Sequence, residues 1–212
     1  WGAQIRSAVS ILVNGSHRCS GVLLNNCEQD GTPYVLTARH CRGIYGASPA
    51  NWIYRWGWES PYCEVNESGP THMTMSNSLL LMDFPQTDVM LVRVVGDVVP
   101  PEYDPYYSGW DKSGTPPVRS VGIHHPRGDV KKITFDNDTA IMGTFYGSPC
   151  WQVVAWDDGT TEPGSSGSGL WNEKGLVVGQ LYGGDASCNN MQFSDFYGRF
   201  DLSYPFMKQW LG

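Results

Sequence analysis

Three residues of reactive type stand far apart in this chain, each in a local setting able to fix its direction: His40, Asp88 and Ser166. Ser166 lies in Thr161-Glu162-Pro163-Gly164-Ser165-Ser166-Gly167-Ser168-Gly169-Leu170, a turn of small residues ahead of an apolar run. Glycine reaches backbone angles closed to other residues and lets a substrate come close. Gly164 and Gly167 can therefore leave the Ser166 hydroxyl exposed, beside bare N–H groups suited to an oxyanion. Read alone, such a tract is more often a flexible loop or linker, so its meaning rests on partners elsewhere. Tyr34-Val35-Leu36-Thr37-Ala38-Arg39-His40-Cys41 is an apolar strand ending on a histidine, with Cys41 placed to anchor the strand end. A lone histidine there reads first as structural. Thr87-Asp88-Val89-Met90-Leu91-Val92-Arg93-Val94 supplies the missing partner: an acid heading a strand, whose carboxylate can accept the imidazole N–H and fix its tautomer. Asp83, Asp97 and Asp104 are ordinary turn candidates; only Asp88 runs without a break into an apolar strand entering the core.

The elements that must position these groups read as β-structure. Six β-prone runs occupy Ala8 to Val13, Gly21 to Leu24, Tyr34 to Ala38, Trp52 to Trp56, Ser78 to Met82 and Val89 to Val95. Six more follow, at Val118 to Ile123, Lys132 to Phe135, Thr139 to Met142, Gln152 to Ala155, Gly169 to Trp171 and Leu176 to Leu181. Short strands between regular turn signals predict an all-β barrel or sandwich. Val99 to Pro117, rich in Pro, Tyr, Asp and Gly, has the composition of a connector between the two groups. The one predicted helix is the tail Tyr204 to Leu211, with Pro205 near its first turn.

Composition excludes several classes. The 212 residues carry a formal charge of -7 and no Lys/Arg-rich run, which argues against nucleic acid or an anionic membrane as partner. No apolar stretch approaches the length of a transmembrane helix. Trp1 starts without a charged-then-apolar signal pattern, as expected of a processed, mature form. Six cysteines without a Cys-x-x-Cys pair fit disulfides better than zinc, and so an extracytoplasmic compartment. Asp136-Asn137-Asp138 reads as a turn rather than a calcium loop, and no metal is expected.

The order His, Asp, Ser is that of the chymotrypsin arrangement. Leu36-Thr37-Ala38-Arg39-His40-Cys41, Thr87-Asp88-Val89-Met90-Leu91 and Gly164-Ser165-Ser166-Gly167 resemble the three catalytic motifs of chymotrypsin-like serine proteases. A narrower likeness covers most of the chain. Gly21 to Asn26, Ile123-His124-His125-Pro126, Thr161 to Ser168, Gly179 to Gly184 and Asp195-Phe196-Tyr197-Gly198-Arg199 resemble bacterial lysyl endopeptidases. The resemblance implies a secreted bacterial endopeptidase, expected as a monomer without cofactor, that hydrolyses protein or peptide substrates after lysine. Its fold would be two six-stranded antiparallel β-barrels of the trypsin-like type with a short C-terminal helix. They would form one catalytic domain over residues 1–212, as subdomains of roughly 1–100 and 118–212. Catalysis would rest on His40, Asp88 and Ser166, with backbone N–H groups of Gly164 and Ser166 as the oxyanion hole.

The same resemblance assigns the specificity pocket. Gly183 and Gly184 would leave its mouth open to a long side chain. Trypsin-like enzymes place an aspartate six residues before the nucleophile, but that position is Thr160. Asp195 instead matches the lysyl endopeptidase aspartate that enters the pocket from the other wall, with Glu162 and Asp185 nearby. A compact ammonium reaches a recessed carboxylate that a planar guanidinium fits poorly. Three features depart from the family: Tyr182 replaces a histidine, Gly169 replaces a proline, and an N-terminal extension with two cysteines is missing before Trp1. Ser165 is not the aspartate with which animal trypsins bind a new N-terminal ammonium, so activation by that salt bridge is not expected. The resemblance pairs Cys19 with Cys41, and favours Cys27 with Cys63 and Cys150 with Cys188. His124 and His125 match a family motif and read as structural. Alternatives are broader Lys/Arg or glutamyl specificity, or a non-catalytic binding protein on the protease fold.

Overall fold

The computed structural model describes residues 1–212 other than 14, 16, 44–47 and 63–68. The first half forms β1 (Ala8–Val13), β2 (His17–Leu24), β3 (Tyr34–Ala38), β4 (Ile53–Arg55), β5 (Thr74–Ser76), β6 (Ser78–Phe84) and β7 (Val89–Val94). They make one antiparallel sheet in the order β5-β4-β1-β2-β3-β7-β6. The second half forms β8 (Ser120–His124), β9 (Lys132–Asp136), β10 (Ile141–Phe145), β11 (Ser148–Val153), β12 (Gly169–Trp171), β13 (Val177–Gly184) and β14 (Asp195–Arg199). Their order is β10-β11-β14-β13-β12-β8-β9. Two barrel-like halves result, with α1 (Gly2–Ile5), α2 (His40–Gly43) and α3 (Phe200–Leu211) as the α-helices.

Among the described residues each sheet has seven strands rather than the six expected, and the two additions have different physical causes. Strand β5 is a three-residue, half-exposed edge, too short for its one apolar residue, Met75, to mark a strand. Strand β14 contains Asp195 and Gly198, both disfavoured in strands, yet it sits between β11 and β13 and is mostly buried. Long-range pairing there outweighs local propensity. Helix α3 begins at Phe200, ahead of the predicted start, so Pro205 lies inside it instead of in its first turn.

One apolar core lies between the halves. Val22, Leu24, Leu36 and Leu91 of the first sheet meet Val121, Ile123, Trp171 and Val177 of the second, closed by Phe200, Tyr204, Met207 and Leu211 of α3. Two further cores fill the individual sheets, around Trp52, Tyr54 and Trp56 in the first and Trp151, Trp156 and Tyr197 in the second. The connector touches both halves: Ser108 bridges to Leu24 and Trp110 to Val177. Burying apolar area against both sheets fixes their relation, at roughly 25 cal/mol per Å² removed from water, and thereby fixes which loops face each other.

Candidate active site

Strand β3 delivers His40 to the junction, at the first residue of α2, with its side chain partly exposed. Asp88 follows a 3-10 turn at Pro85–Thr87 and takes left-handed angles, φ 52° and ψ 31°, before β7 begins. That turn brings the carboxylate back onto His40: Oδ1 accepts the His40 backbone N–H at 2.9 Å, and Oδ2 lies 2.6 Å from Nδ1. Nδ1 therefore carries the proton it donates, leaving Nε2 free to accept one. Burial raises the Asp88 carboxyl above its ordinary value, while its hydrogen bonds from His40 oppose the rise.

The turn that carries Ser166 is closed by its own main chain. Pro163 and Gly164 take the two central positions of a turn closed by Ser165 N–H donating to Glu162 C=O at 3.0 Å. Gly164 has φ +100°, a conformation that favours glycine at the third position of a type II turn. At Gly167, also with positive φ, a Cβ would collide with Thr37 Oγ1 and lie 2.5 Å from Ser20 C=O. Only glycine lets the turn pack this closely on the first sheet. Ser166 is half-buried beside the Cys19–Cys41 disulfide, whose Cys41 Sγ lies 3.9 Å from the Ser166 carbonyl oxygen. Among the described residues no hydrogen bond joins Ser166 Oγ to His40; such contacts are often long before substrate binds.

Each half of the molecule braces the reactive group of the other. From the first sheet, Ser20 N–H donates to Ser166 C=O at 2.8 Å, and Ser20 Oγ donates to Gly164 C=O at 3.0 Å. From the second, Gln180 Nε2 donates to Thr87 C=O at 2.8 Å, while Thr87 Oγ1 and Ser203 Oγ of α3 lie 2.7 Å apart. Sequence reasoning missed Ser20, Gln180 and Ser203, because nothing in their local pattern marks contacts across such separations.

Asp195 is 1% exposed, and its Oδ2 accepts two hydrogen bonds: from Trp156 Nε1 at 2.7 Å and Thr161 Oγ1 at 2.8 Å. Oδ1 accepts none among the described residues and lies beside Gly184, where any Cβ would collide with it. Gly184 pairs with Asp195, and Gly183 with Phe196, across β13 and β14. Burial pushes the Asp195 carboxyl up to about 6, against the two hydrogen bonds and with help from nearby Asp185. Glu162 is not free to share this role. It pairs with Arg127 at 2.9 Å and accepts the Cys188 N–H at 2.9 Å, bonds that hold its carboxyl below the ordinary value.

Tyr182 stacks on the His40 ring at 6.1 Å between centroids and 23° between planes, and Phe145 meets Tyr182 edge-on at 5.1 Å. The expected Cys150–Cys188 bridge is absent. Cys150 is buried in β11, its thiol pushed up to about 11 chiefly by burial, with Asp88 near enough to add to the rise. Cys188 is exposed and hydrogen-bonded to Glu162. The strand fixes Cys150 among the neighbours of Asp88, whereas Cys188 follows Glu162 and Arg127. The expected Cys27–Cys63 pair lies outside the described residues, since residue 63 is among those excluded. No described group of three or more His, Cys, Asp or Glu residues could hold a metal ion. No described helix is long and apolar enough to cross a membrane.

The fold is that of the trypsin-like serine proteases. A thermostable serine protease, AL20, from an extremophilic microorganism superposes with a TM-score of 0.71 at 13% identity, covering 99% of this chain and 98% of that one. The HtrA-type protease AlgW, solved with a tripeptide, gives 0.70 at 16% identity, covering 98% and 61%. At such identities the likeness carries the fold alone. Residues 2–198 match the profile of the lysyl endopeptidase C-terminal domain, and the chain belongs to that family of serine proteases. It is 34% identical over 202 residues to lysyl endopeptidase of Pseudomonas aeruginosa, an alignment covering 87% of this chain and 42% of the relative. The chain thus matches less than half the length of that protein.

Proposed function

We propose that this chain is the catalytic domain of a secreted bacterial endopeptidase that cleaves protein or peptide substrates on the carboxyl side of lysine. The observation that carries the reading is Asp195: a buried carboxylate with one oxygen unpartnered among the described residues, at the glycine-lined wall between β13 and β14. A buried carboxylate is costly until paired, so a lysyl ammonium gains there what a neutral side chain cannot.

Ser166 Oγ attacks the scissile carbonyl carbon while His40 Nε2 takes its proton. The carbonyl oxygen, now an oxyanion, accepts the Gly164 and Ser166 N–H groups. Neither N–H donates elsewhere among the described backbone hydrogen bonds, and each such donor contributes about 3 kcal/mol to transition-state stabilisation. Collapse breaks the C–N bond, His40 protonates the leaving amine, and water then hydrolyses the acyl-enzyme by the same steps. Asp88 holds the imidazole in the tautomer these steps need.

Digestion of a denatured protein, followed by mass spectrometry of the new termini, tests the proposal. Termini following lysine are expected, and Ser166→Ala should produce none. Cleavage after glutamate or arginine in preference to lysine, or turnover surviving Ser166→Ala, would overturn it.

A further inference from the structure

The mechanism above leaves a fully buried histidine unused. His124 ends β8, is 0% exposed, and places Nδ1 2.7 Å from Ser165 Oγ, while its Nε2 has no partner among the described residues. Ser165, also 0% exposed, turns its hydroxyl inward from the nucleophile turn and accepts the Glu162 N–H at 3.2 Å. One arrangement satisfies both the Ser165 hydroxyl and His124 Nδ1: Ser165 accepts from Glu162 and donates its single proton to Nδ1, leaving the imidazole proton on Nε2. Keeping a buried N–H unpaired is costly, and a surface motif would not require it.

We propose that His124 is a positioning residue for peptide hydrolysis, fixing through Ser165 the turn that presents the Gly164 and Ser166 N–H groups. Main-chain contacts hold the peptides that carry these donors. The peptide carrying Gly164 N–H is held at its other end by Arg127 N–H donating to Pro163 C=O at 2.5 Å. The peptide carrying Ser166 N–H is held by Ser168 N–H donating to Ser165 C=O at 3.0 Å. The Gly164–Ser165 peptide between them is held by Ser165 N–H donating to Glu162 C=O and by Gly164 C=O accepting from Ser20 Oγ. The His124–Ser165–Glu162 chain adds a tie through the Ser165 side chain, joining the middle of the turn to β8 and to the residue that opens it. Burial keeps the imidazole neutral, its basicity lowered to about 3, so the anchor persists across neutral and mildly acidic conditions without an ionic partner. His125, next along, acts elsewhere, with its ring stacked on Trp58 at 5.7 Å and its backbone N–H donating to Ser20 Oγ.

The inference rests on the proposed assignment of Ser166 and its oxyanion donors, and the experiment separates the two. Ser165→Ala, His124→Gln and His124→Asn are compared in amide hydrolysis of a lysyl p-nitroanilide peptide. Binding of a peptide lysinal, which forms a tetrahedral adduct, and of butylamine, which probes only the side-chain pocket, is measured in parallel. Asn places a polar atom near the position of Nδ1, whereas Gln places it near Nε2. Ser165→Ala and His124→Gln should lower kcat about 10-fold with KM within about 2-fold, by the rate-to-barrier relation for a transition-state contact. Lysinal affinity should fall in proportion, butylamine affinity should hold, and His124→Asn should recover most of the loss. Unchanged kcat in Ser165→Ala, or lost kcat with unchanged lysinal affinity, overturns the role of His124. Should His124→Gln fail to fold, Ser165→Ala decides alone. Loss of activity in Ser166→Ala together with a fully active Ser165→Ala rejects this inference and leaves the site assignment standing, whereas an active Ser166→Ala rejects that assignment.

Discussion

Asp88 and Asp195 are both buried aspartates, the first where the two sheets meet and the second within the second sheet, 4% and 1% exposed, and burial raises the carboxyl of each. They differ in what answers the charge. Asp88 faces a built-in partner able to carry a proton, with the His40 ring at 2.6 Å and its backbone N–H at 2.9 Å. Asp195 has only neutral donors, Trp156 and Thr161, and an oxygen without a partner among the described residues. The first carboxylate is satisfied within the protein and, in the proposed mechanism, serves geometry. The second is left electrostatically incomplete, and the substrate reading assigns its partner to the lysine being cut. A protein can thus use one residue type for orientation or for selection, depending on whether the counter-charge is built into the chain.

The contrast is broken hardest at Asp88. Asp88→Asn keeps the shape but can donate to Nδ1, inviting the opposite tautomer with Nε2 protonated and useless as a base. The comparable exchange in the triad template costs about 10⁴-fold in kcat, and a similar loss at nearly constant KM is expected here by steady-state kinetics. A loss under 10-fold would mean that Asp88 does not set the tautomer.

Asp195→Asn acts on the other side of the comparison. Removing one partner of a desolvated ion pair costs about 2–5 kcal/mol, or about 30- to 5,000-fold in kcat/KM for lysyl peptides. Uncharged side chains should lose little. The parent enzyme carries a signature that the variant should lack. Because the carboxyl is raised to about 6, Asp195 is ionised above that pH and protonated below it, so lysine selectivity over an uncharged analogue should rise with pH through about 6. Stability responds oppositely. The folded carboxyl holds its proton more tightly than the ordinary value of 3.8, so this residue's contribution becomes less favourable as pH climbs from 3.8 to about 6. At neutral pH the variant should be the more stable by about 3 kcal/mol, measurable by urea unfolding. Lower stability in Asp195→Asn, with unchanged selectivity, would place the residue among ordinary packing groups.

The two aspartates were also unequally legible in the sequence. Asp88 stands out by heading an uninterrupted apolar strand, and the Ser166 turn by Gly164 and Gly167 around the hydroxyl, a pattern that gains meaning only beside His40 and Asp88. Asp195 emerges only through family resemblance, for β14 carries an acid and a glycine where strand propensity is poor, and its existence depends on pairing with β11 and β13. The same holds for the braces. Ser20 lies 144 residues from Gly164, and Gln180 lies 93 from Thr87, so no periodicity or spacing could couple them. The Cys150–Cys188 pairing that the resemblance favours is not formed, because strand facing sets the direction of one thiol and the Glu162–Arg127 pair that of the other.

The smallest effect refines the Asp88 side. Tyr182 lies over His40, supported edge-on by Phe145. Aromatic contacts of this kind contribute about 0.5–1.5 kcal/mol beyond burial, so Tyr182→Ala should lower kcat/KM by about 2- to 10-fold, while Tyr182→Phe should stay within about 2-fold. The comparison with Asp88 tells how the ring acts. If Tyr182 restrains the imidazole that Asp88 orients, its removal should cost much less in the Asp88→Asn background, where that imidazole is already in the wrong tautomer. Contacting residues with a shared partner depart from additivity in this way. Fully additive losses would show that Tyr182 acts on the bound substrate instead, independently of the histidine beneath it.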